Sequence, residues 1–398
     1  MSNLEELIER LCPDGVEYES LIDLCDVLYG FPCDASKFND DMIGLPLVRI
    51  RDVLEGKSDT YTIESVPEEY KIHSGDLLVG MDGNFHVGIW KDIEAILCQR
   101  VCRISSKDNE VLLDGFLNHL IEPIMKKIEL GKQSGTVKHL LAKDIKAIKL
   151  PVPPLEVQRE IVRILDNFTF LTTELAAELA ARQKQYEYYR DLLLTFKPNE
   201  STILNERTNE LELSGAIHWM KLGDIADIGT GNGNTNEGLD TGKYPFFVRS
   251  QDIKYKNEYD FDETAIITSG DGVGVGKIFH FVSGKYALHQ RAYRVHITSD
   301  NVLPKYFFYY FKNSFLTYIS KASFHSSVTS IRRPMMINFP VPVPPLEVQQ
   351  RIVDILDRFD TLCNDISSGL PAEIEARQKQ YEYYRDKLLT FKELKKEA

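Results

Sequence analysis

The sequence predicts an α+β protein: two mixed α/β heads separated by two long antiparallel coiled-coil helices, with pseudo-twofold symmetry. Three observations predict it, namely a tandem repeat, two helical seams of heptad type, and two intervening stretches of short alternating strands punctuated by turns. The implied boundaries are 1–150 for the first head, 151–197 for the first tail, 198–341 for the second head and 342–398 for the second tail.

The repeat is direct. Pro151-Val152-Pro153-Pro154-Leu155-Glu156-Val157-Gln158 returns as Pro342 through Gln349, and Arg182-Gln183-Lys184-Gln185-Tyr186-Glu187-Tyr188-Tyr189-Arg190-Asp191 returns unchanged as Arg377 through Asp386. The heads echo each other only at anchors, such as Gln99-Arg100 with Gln290-Arg291. The unit is a variable head followed by a nearly fixed tail, used twice.

Each tail opens on prolines, which a first helical turn tolerates and a helix interior does not. In the first, Val157, Ile161, Ile164, Phe168, Leu171, Leu175, Leu179, Arg182, Tyr186, Tyr189, Leu193 and Phe196 form a coiled-coil seam with one stutter. The second keeps that seam to Ile366, then meets Ser367-Ser368-Gly369-Leu370-Pro371, which predicts a break or kink. The early repeat block is displaced by 191 residues and the late one by 195, so four residues were gained at that interruption. Two such helices pair most economically with each other. Roughly 40 helical residues at about 1.5 Å each make a rod on the order of 60 Å, with a head expected near each end.

Packing alone does not require the exposed tail positions to repeat. Gln183, Lys184, Glu187 and Arg190, matched by Gln378, Lys379, Glu382 and Arg385, therefore predict two equivalent docking surfaces for two copies of one partner.

The heads carry Gly-rich turns, Gly80-Met81-Asp82-Gly83-Asn84-Phe85-His86 and Ser269-Gly270-Asp271-Gly272-Val273-Gly274-Val275-Gly276-Lys277. Neither is a nucleotide loop: Asp271 occupies the place of the first P-loop glycine, Ile278 follows Lys277 where Ser or Thr is needed, and no dinucleotide fingerprint occurs. The remaining readings are a tight hairpin, or a backbone turn that lets polar groups such as Asn84, His86 and Asp271 approach DNA. Residue types that contact phosphates or base edges are Arg49, Arg51, Gln99, Arg100, Gln133, Ser134, Lys138 and His139 in the first head. Their counterparts in the second are Arg249, Gln251, His289, Gln290, Arg291, His325, Ser326, Ser327, Thr329, Arg332 and Arg333. The aromatic run Phe307 to Phe311 reads as a core helix.

Composition limits the remaining classes. Lys and Arg number 47 against 60 Asp and Glu, a formal charge of −13, which argues against a self-sufficient DNA-binding regulator. Six cysteines without a CxxC pair indicate neither a disulfide framework nor a zinc site. No signal-peptide pattern, membrane span, methyltransferase motif or nuclease carboxylate set is recognised, so a cytoplasmic, non-catalytic chain without a metal or cofactor of its own is expected.

The Pro-Pro-Leu-Glu-Val-Gln entry and the Arg-Gln-Lys-Gln-Tyr-Glu-Tyr-Tyr-Arg-Asp block, each present twice behind divergent heads, resemble the specificity subunits of type I restriction-modification systems. Thr173-Glu174-Leu175-Ala176 followed by Ala177-Glu178-Leu179-Ala180 also looks like that family's four-residue helix repeat. The resemblance implies two target-recognition domains, each reading half of a split site in double-stranded DNA. It also implies two methyltransferase subunits that use S-adenosylmethionine to methylate adenine, and restriction subunits that use ATP and Mg. The competing reading is a coiled-coil interaction protein whose heads bind protein; near-identical heads would favour it, and these heads differ.

Overall fold

The computed structural model describes residues 2–132, 138–196, 217–322, 330–365 and 367–394. The chain forms two units, Met1–Leu175 with Ile374–Ala398, and Ala176–Glu373, so each tail contributes to both.

The first unit starts with the helix Ser2–Leu11. An antiparallel pair, Glu17–Ser20 on Lys149–Val152, then clasps the two ends of the head. Between them lie a four-stranded antiparallel sheet, in the order Cys25–Tyr29, Val101–Ser106, Leu77–Gly80, Val87–Ile89, and a five-stranded sheet in which Leu45–Val48 runs parallel to Ala95–Leu97. Alternation decides which core each side chain joins: in Val101–Ser106 the side chains of Cys102 and Ile104 enter the core beneath the helix Asp114–Leu130, whereas Val101, on the opposite face, packs with Val48, Leu78 and Trp90. The helix Asp114–Leu130 covers the four-stranded sheet through Phe116, Leu117, Leu120, Ile121 and Met125.

The second unit repeats the plan with different proportions. His218–Lys221 pairs with Pro340–Val343 as the clasp. A single six-stranded sheet, in the order Ala226–Thr230, Ala292–Ile297, Phe261–Ser269, Phe279–Leu288, Tyr244–Phe247, Lys254–Lys256, replaces the two smaller sheets. Its covering helix, Pro304–Ala322, buries Tyr306, Phe307, Phe311 and Phe315, as the aromatic run predicted.

The first tail is one helix of 40 residues, Leu155–Leu194. The second is two helices of 19 residues, Leu346–Asn364 and Leu370–Leu388, broken where Gly369-Leu370-Pro371 predicted. Asp365 stabilises the break by accepting from the Ser367 backbone N–H and from the Ser367 and Ser368 hydroxyls, bonds that push its carboxyl down to about 2. A Cβ on Gly369 would stand 2.5 Å from the Thr361 carbonyl oxygen, so the returning chain needs glycine there.

In each unit the two tails pack antiparallel. In the first, Phe168 stacks on Tyr384 at 5.4 Å, while Phe391 lies back toward the start of the long helix, where Tyr18 donates to its carbonyl beside the clasp. In the second, Tyr189 stacks on Phe359 at 5.7 Å. The seam is deepest at its ends: Val157, Ile161 and Leu193 are buried, whereas no residue between Asp166 and Leu192 is fully so. Leu165 and Leu194, off the predicted seam, are also buried, because each head packs on the adjoining helix face.

Gln158 and Gln349 explain one repeated motif. Both are wholly buried. Gln158 accepts from the Leu113 N–H at 2.9 Å and donates to the Val111 and Pro153 carbonyls, both at 2.8 Å. Gln349 accepts from Leu303 N–H and donates to the Asn301 and Pro344 carbonyls, all at 2.8 Å. A buried amide must satisfy its donors and acceptor, and here each does so by tying its tail to its head.

Candidate nucleic-acid interface

The turn from Ala95–Leu97 into Val101–Ser106 presents Gln99 and Arg100 at the surface of the first head. Arg100 holds φ +74°, a left-handed conformation that costs a non-glycine residue on the order of 1 kcal/mol. Its backbone carbonyl accepts from the Met81 N–H at 2.8 Å, and its guanidinium donates to Asp82 at 2.8 Å. His139 bonds the other oxygen of Asp82 through Nδ1 at 2.6 Å. One carboxylate thus joins three chain segments, and Gly83 behind it turns at φ +71°.

The second head builds the same hub from other pieces. Asp271, followed by Gly272 at φ +80°, accepts from Arg249 at 2.7 Å and from Arg291 at 2.9 Å. Burial would raise the Asp271 carboxyl, but the hydrogen bonds from the two guanidinium groups outweigh it and hold the carboxyl below the usual carboxylate range. The Gly270 N–H donates to the Arg291 carbonyl, as Met81 does to Arg100.

Behind each turn lies a buried brace. In the first head the free thiols of Cys33 and Cys98 are buried in one small cluster with Leu47 and Ile96. In the second, His289 stands at the position of Cys98. It accepts the Arg291 N–H on Nδ1 at 3.0 Å, which leaves Nε2 to donate to the Thr235 hydroxyl at 3.1 Å. His289 is 3% exposed, which corrects the expectation of a surface contact: its ring shapes the turn from within.

The other candidates are dispersed. Arg49 and Arg51 meet at Thr60, with Asp52 and Asp59 beside them, and line a separate cleft of about 1030 Å³. Asn84 and His86 line a smaller one with Glu122 and Glu129. Lys138 is paired with Glu129 at 3.1 Å. Gln290 donates to Asn234, Gln251 is exposed, and Arg332 and Arg333 lie exposed at the start of the short helix Arg333–Ile337. Gln133, Ser134, His325, Ser326, Ser327 and Thr329 lie outside the described residues.

The family model described as "Type I restriction modification DNA specificity domain" matches the chain twice, over residues 13–182 and 217–376. The chain belongs to this family. Among relatives of known name, the specificity subunit of the type I restriction enzyme EcoR124I/EcoR124II of Escherichia coli is 36% identical over 273 residues, 61% of this chain and 63% of that one. A putative type I specificity subunit of Haemophilus influenzae is 35% identical over 62% of this chain and 65% of its own length. The chain thus spans a little under two thirds of these relatives. The S subunit of a type I restriction-modification system from M. genitalium shares the fold, with a TM-score of 0.59 over 94% of this chain and 96% of that one at 14% identity.

Each of the two specificity domains ends inside a tail, where the predicted docking residues lie. Gln183, Lys184 and Glu187 are exposed, and so are Gln378, Lys379 and Glu382. Tyr188 and Tyr383, at matching places in the repeated block, are 64% and 63% exposed. Two large aromatic rings held in water at equivalent positions are the kind of anchor that interfaces use, and the repeat that flagged their polar neighbours flagged them equally. Arg190 and Arg385 differ. Arg190 is half-buried and bonds Asp191, whereas Arg385 is 5% exposed and donates to Glu122 at 2.8 Å. This corrects the expectation of an exposed Arg385: the guanidinium fastens the tail to the helix Asp114–Leu130.

Asp82 was legible through its alignment with Asp271 in the two Asp-Gly turns, yet residue type alone favoured the cations around it. Among the described residues no group of three or more His, Cys, Asp or Glu is arranged to hold a metal, and no helix is long and apolar enough to cross a membrane.

Proposed function

We propose that this chain is the DNA-specificity subunit of a type I restriction-modification complex, each head reading one half of a bipartite, asymmetric site in double-stranded DNA. The observation that carries the reading is the twofold specificity domain with one hub design and unlike basic side chains on it: Arg100 and His139 in one head, Arg249 and Arg291 in the other. Heads that bound the same protein surface twice would have no need to differ there.

The chain is non-catalytic by itself and binds no cofactor directly. Two methyltransferase subunits dock on the duplicated faces around Tyr188 and Tyr383 and bring S-adenosylmethionine, and restriction subunits bring ATP- and Mg-dependent cleavage, all in the cytoplasm. With a net charge of −13, much of the grip on phosphate belongs to those partners. The unbroken helix through Thr173–Ala180 sets the spacer between half-sites. One more four-residue unit adds about 6 Å, close to two base pairs at about 3.4 Å each.

Adenine-methylation mapping in cells that carry the chain with its methyltransferase tests the proposal. A split motif is expected. Exchanging residues 14–150 for another head changes one half only, and the four-residue insertion lengthens the spacer by about two base pairs with both halves intact. A continuous motif, or a swap that alters both halves, would contradict the proposal.

A further inference from the structure

The two hubs differ in one member, and that difference divides their labour. Arg100 and Arg291 come from the same turn in both heads and reach their carboxylates from the same side, so whatever they contact is common to both half-sites. His139 and Arg249 come from different segments and have no counterpart in each other. The carboxylates are sheltered, with side chains 20% and 23% exposed, whereas the basic side chains are 39–62% exposed. The acid lies inside and the bases face out. A guanidinium carries five N–H donors, and each arginine gives Nη1 to its aspartate. Fixing the side chain this way removes rotamer freedom that a flexible arginine would lose on binding.

Resting on the specificity reading above, we propose that Asp82 and Asp271 are positioning residues of the two reading surfaces. The shared arginines, Arg100 and Arg291, grip phosphate. The unlike members read a base, with Arg249 presenting its fork to the O6 and N7 acceptors of a guanine in the second half-site and His139 reading the first. Bidentate arginine to guanine is the commonest specific contact of this kind, and a phosphate contact carries no sequence information.

The test uses the full chain with its methyltransferase partner and duplexes in which each half-site position is varied in turn, with binding measured across salt concentrations. Arg249→Ala lowers the preference for guanine at one position of the second half-site by about ten- to a hundred-fold and leaves the first half-site as it was. Arg291→Ala weakens binding to all sequences alike and lowers the salt slope by about one. Asp271→Asn does both, Asp271→Glu restores part of the loss, and Asp82→Asn acts on the first half-site only. Melting temperatures accompany each variant. If Asp271→Asn melts early, Arg249→Lys, which keeps the charge and loses the fork, still separates base reading from folding. The inference is overturned if Arg249→Ala leaves every position equally discriminated, or if Arg291→Ala relaxes one base alone. A wild-type complex with no preference for any duplex would instead overturn the specificity reading itself.

Discussion

The first head splits its strands into sheets of four and five, whereas the second joins six into one, yet both keep the same clasp, the same buried glutamine and the same carboxylate hub. Between those points the chemistry is free to change. Two buried thiols, Cys33 and Cys98, fill the space behind one recognition turn, and a hydroxyl bonded to an imidazole, Thr235 with His289, braces the other. The parts that stay constant are those that touch the tail or set the backbone path of the turn; the fillings behind them answer only to volume and hydrogen-bond satisfaction.

The largest effect tests what the heads share. Gln158→Ala and Gln349→Ala each take the partner from one buried carbonyl and from a partly buried N–H and carbonyl, at about 1–3 kcal/mol per fully buried group before relaxation. Each variant is expected to lose about 3 kcal/mol or more in denaturant titration, by similar amounts. A large loss in one head and none in the other would break the comparison.

The next effect tests what they do not share. Glu122→Ala removes the acceptor from buried Arg385, and with Glu122 half in water and Asp386 still bonded at 3.0 Å the loss is about 1–2 kcal/mol. At the corresponding place on the second head's helix stands Lys312, so Lys312→Ala leaves stability nearly unchanged.

Acid sharpens the difference further. His119 bonds Asp166 and the Tyr381 hydroxyl at 2.9 and 3.0 Å, and burial holds its pKa below the ordinary 6.5. The folded state prefers the neutral ring. Its contribution is therefore complete above 6.5 and falls away as pH drops below that value, by at most about 1.4 kcal/mol per pH unit. The second head has Tyr309 bonded to Asp357 at that place, and a tyrosine does not titrate there. His119→Gln should flatten the decline in melting temperature between about pH 6.5 and 5. An unchanged decline would assign the acid sensitivity to His280 and His289, whose pKa values burial also lowers.

The smallest effect concerns backbone strain. Arg100→Gly relieves the left-handed conformation and should raise stability by about 0.5–1 kcal/mol, while Arg291→Gly lowers it. Equal signs would mean that the two turns are strained alike.

Much of the architecture was legible because repetition exposes it. The tail helices, their break at Gly369 and the aromatic core helix all follow from spacing, proline and glycine. Seam membership was less so: a period identifies one face of a helix, and Leu165 is buried because a head covers another. Site residues were legible by type and not by depth. His289 and Arg385 carry the chemistry of surface contacts, and whether a ring or a guanidinium faces water depends on neighbours far away in sequence, Thr235 for one and Glu122 for the other. Of the two hub aspartates, Asp271 was a candidate through its Gly-rich turn, whereas Asp82 escaped for the opposite reason, since a carboxylate is not what DNA attracts.

The glutamine that ties each tail to its head grips only main-chain atoms: one amide hydrogen and two carbonyl oxygens. Such a coupling is blind to the side chains it joins. Two of those points, an amide hydrogen and a carbonyl oxygen, belong to the head, so any replacement domain whose polypeptide passes both will seat without renegotiation, and a gene could trade one reader for another in a single exchange and inherit a working socket.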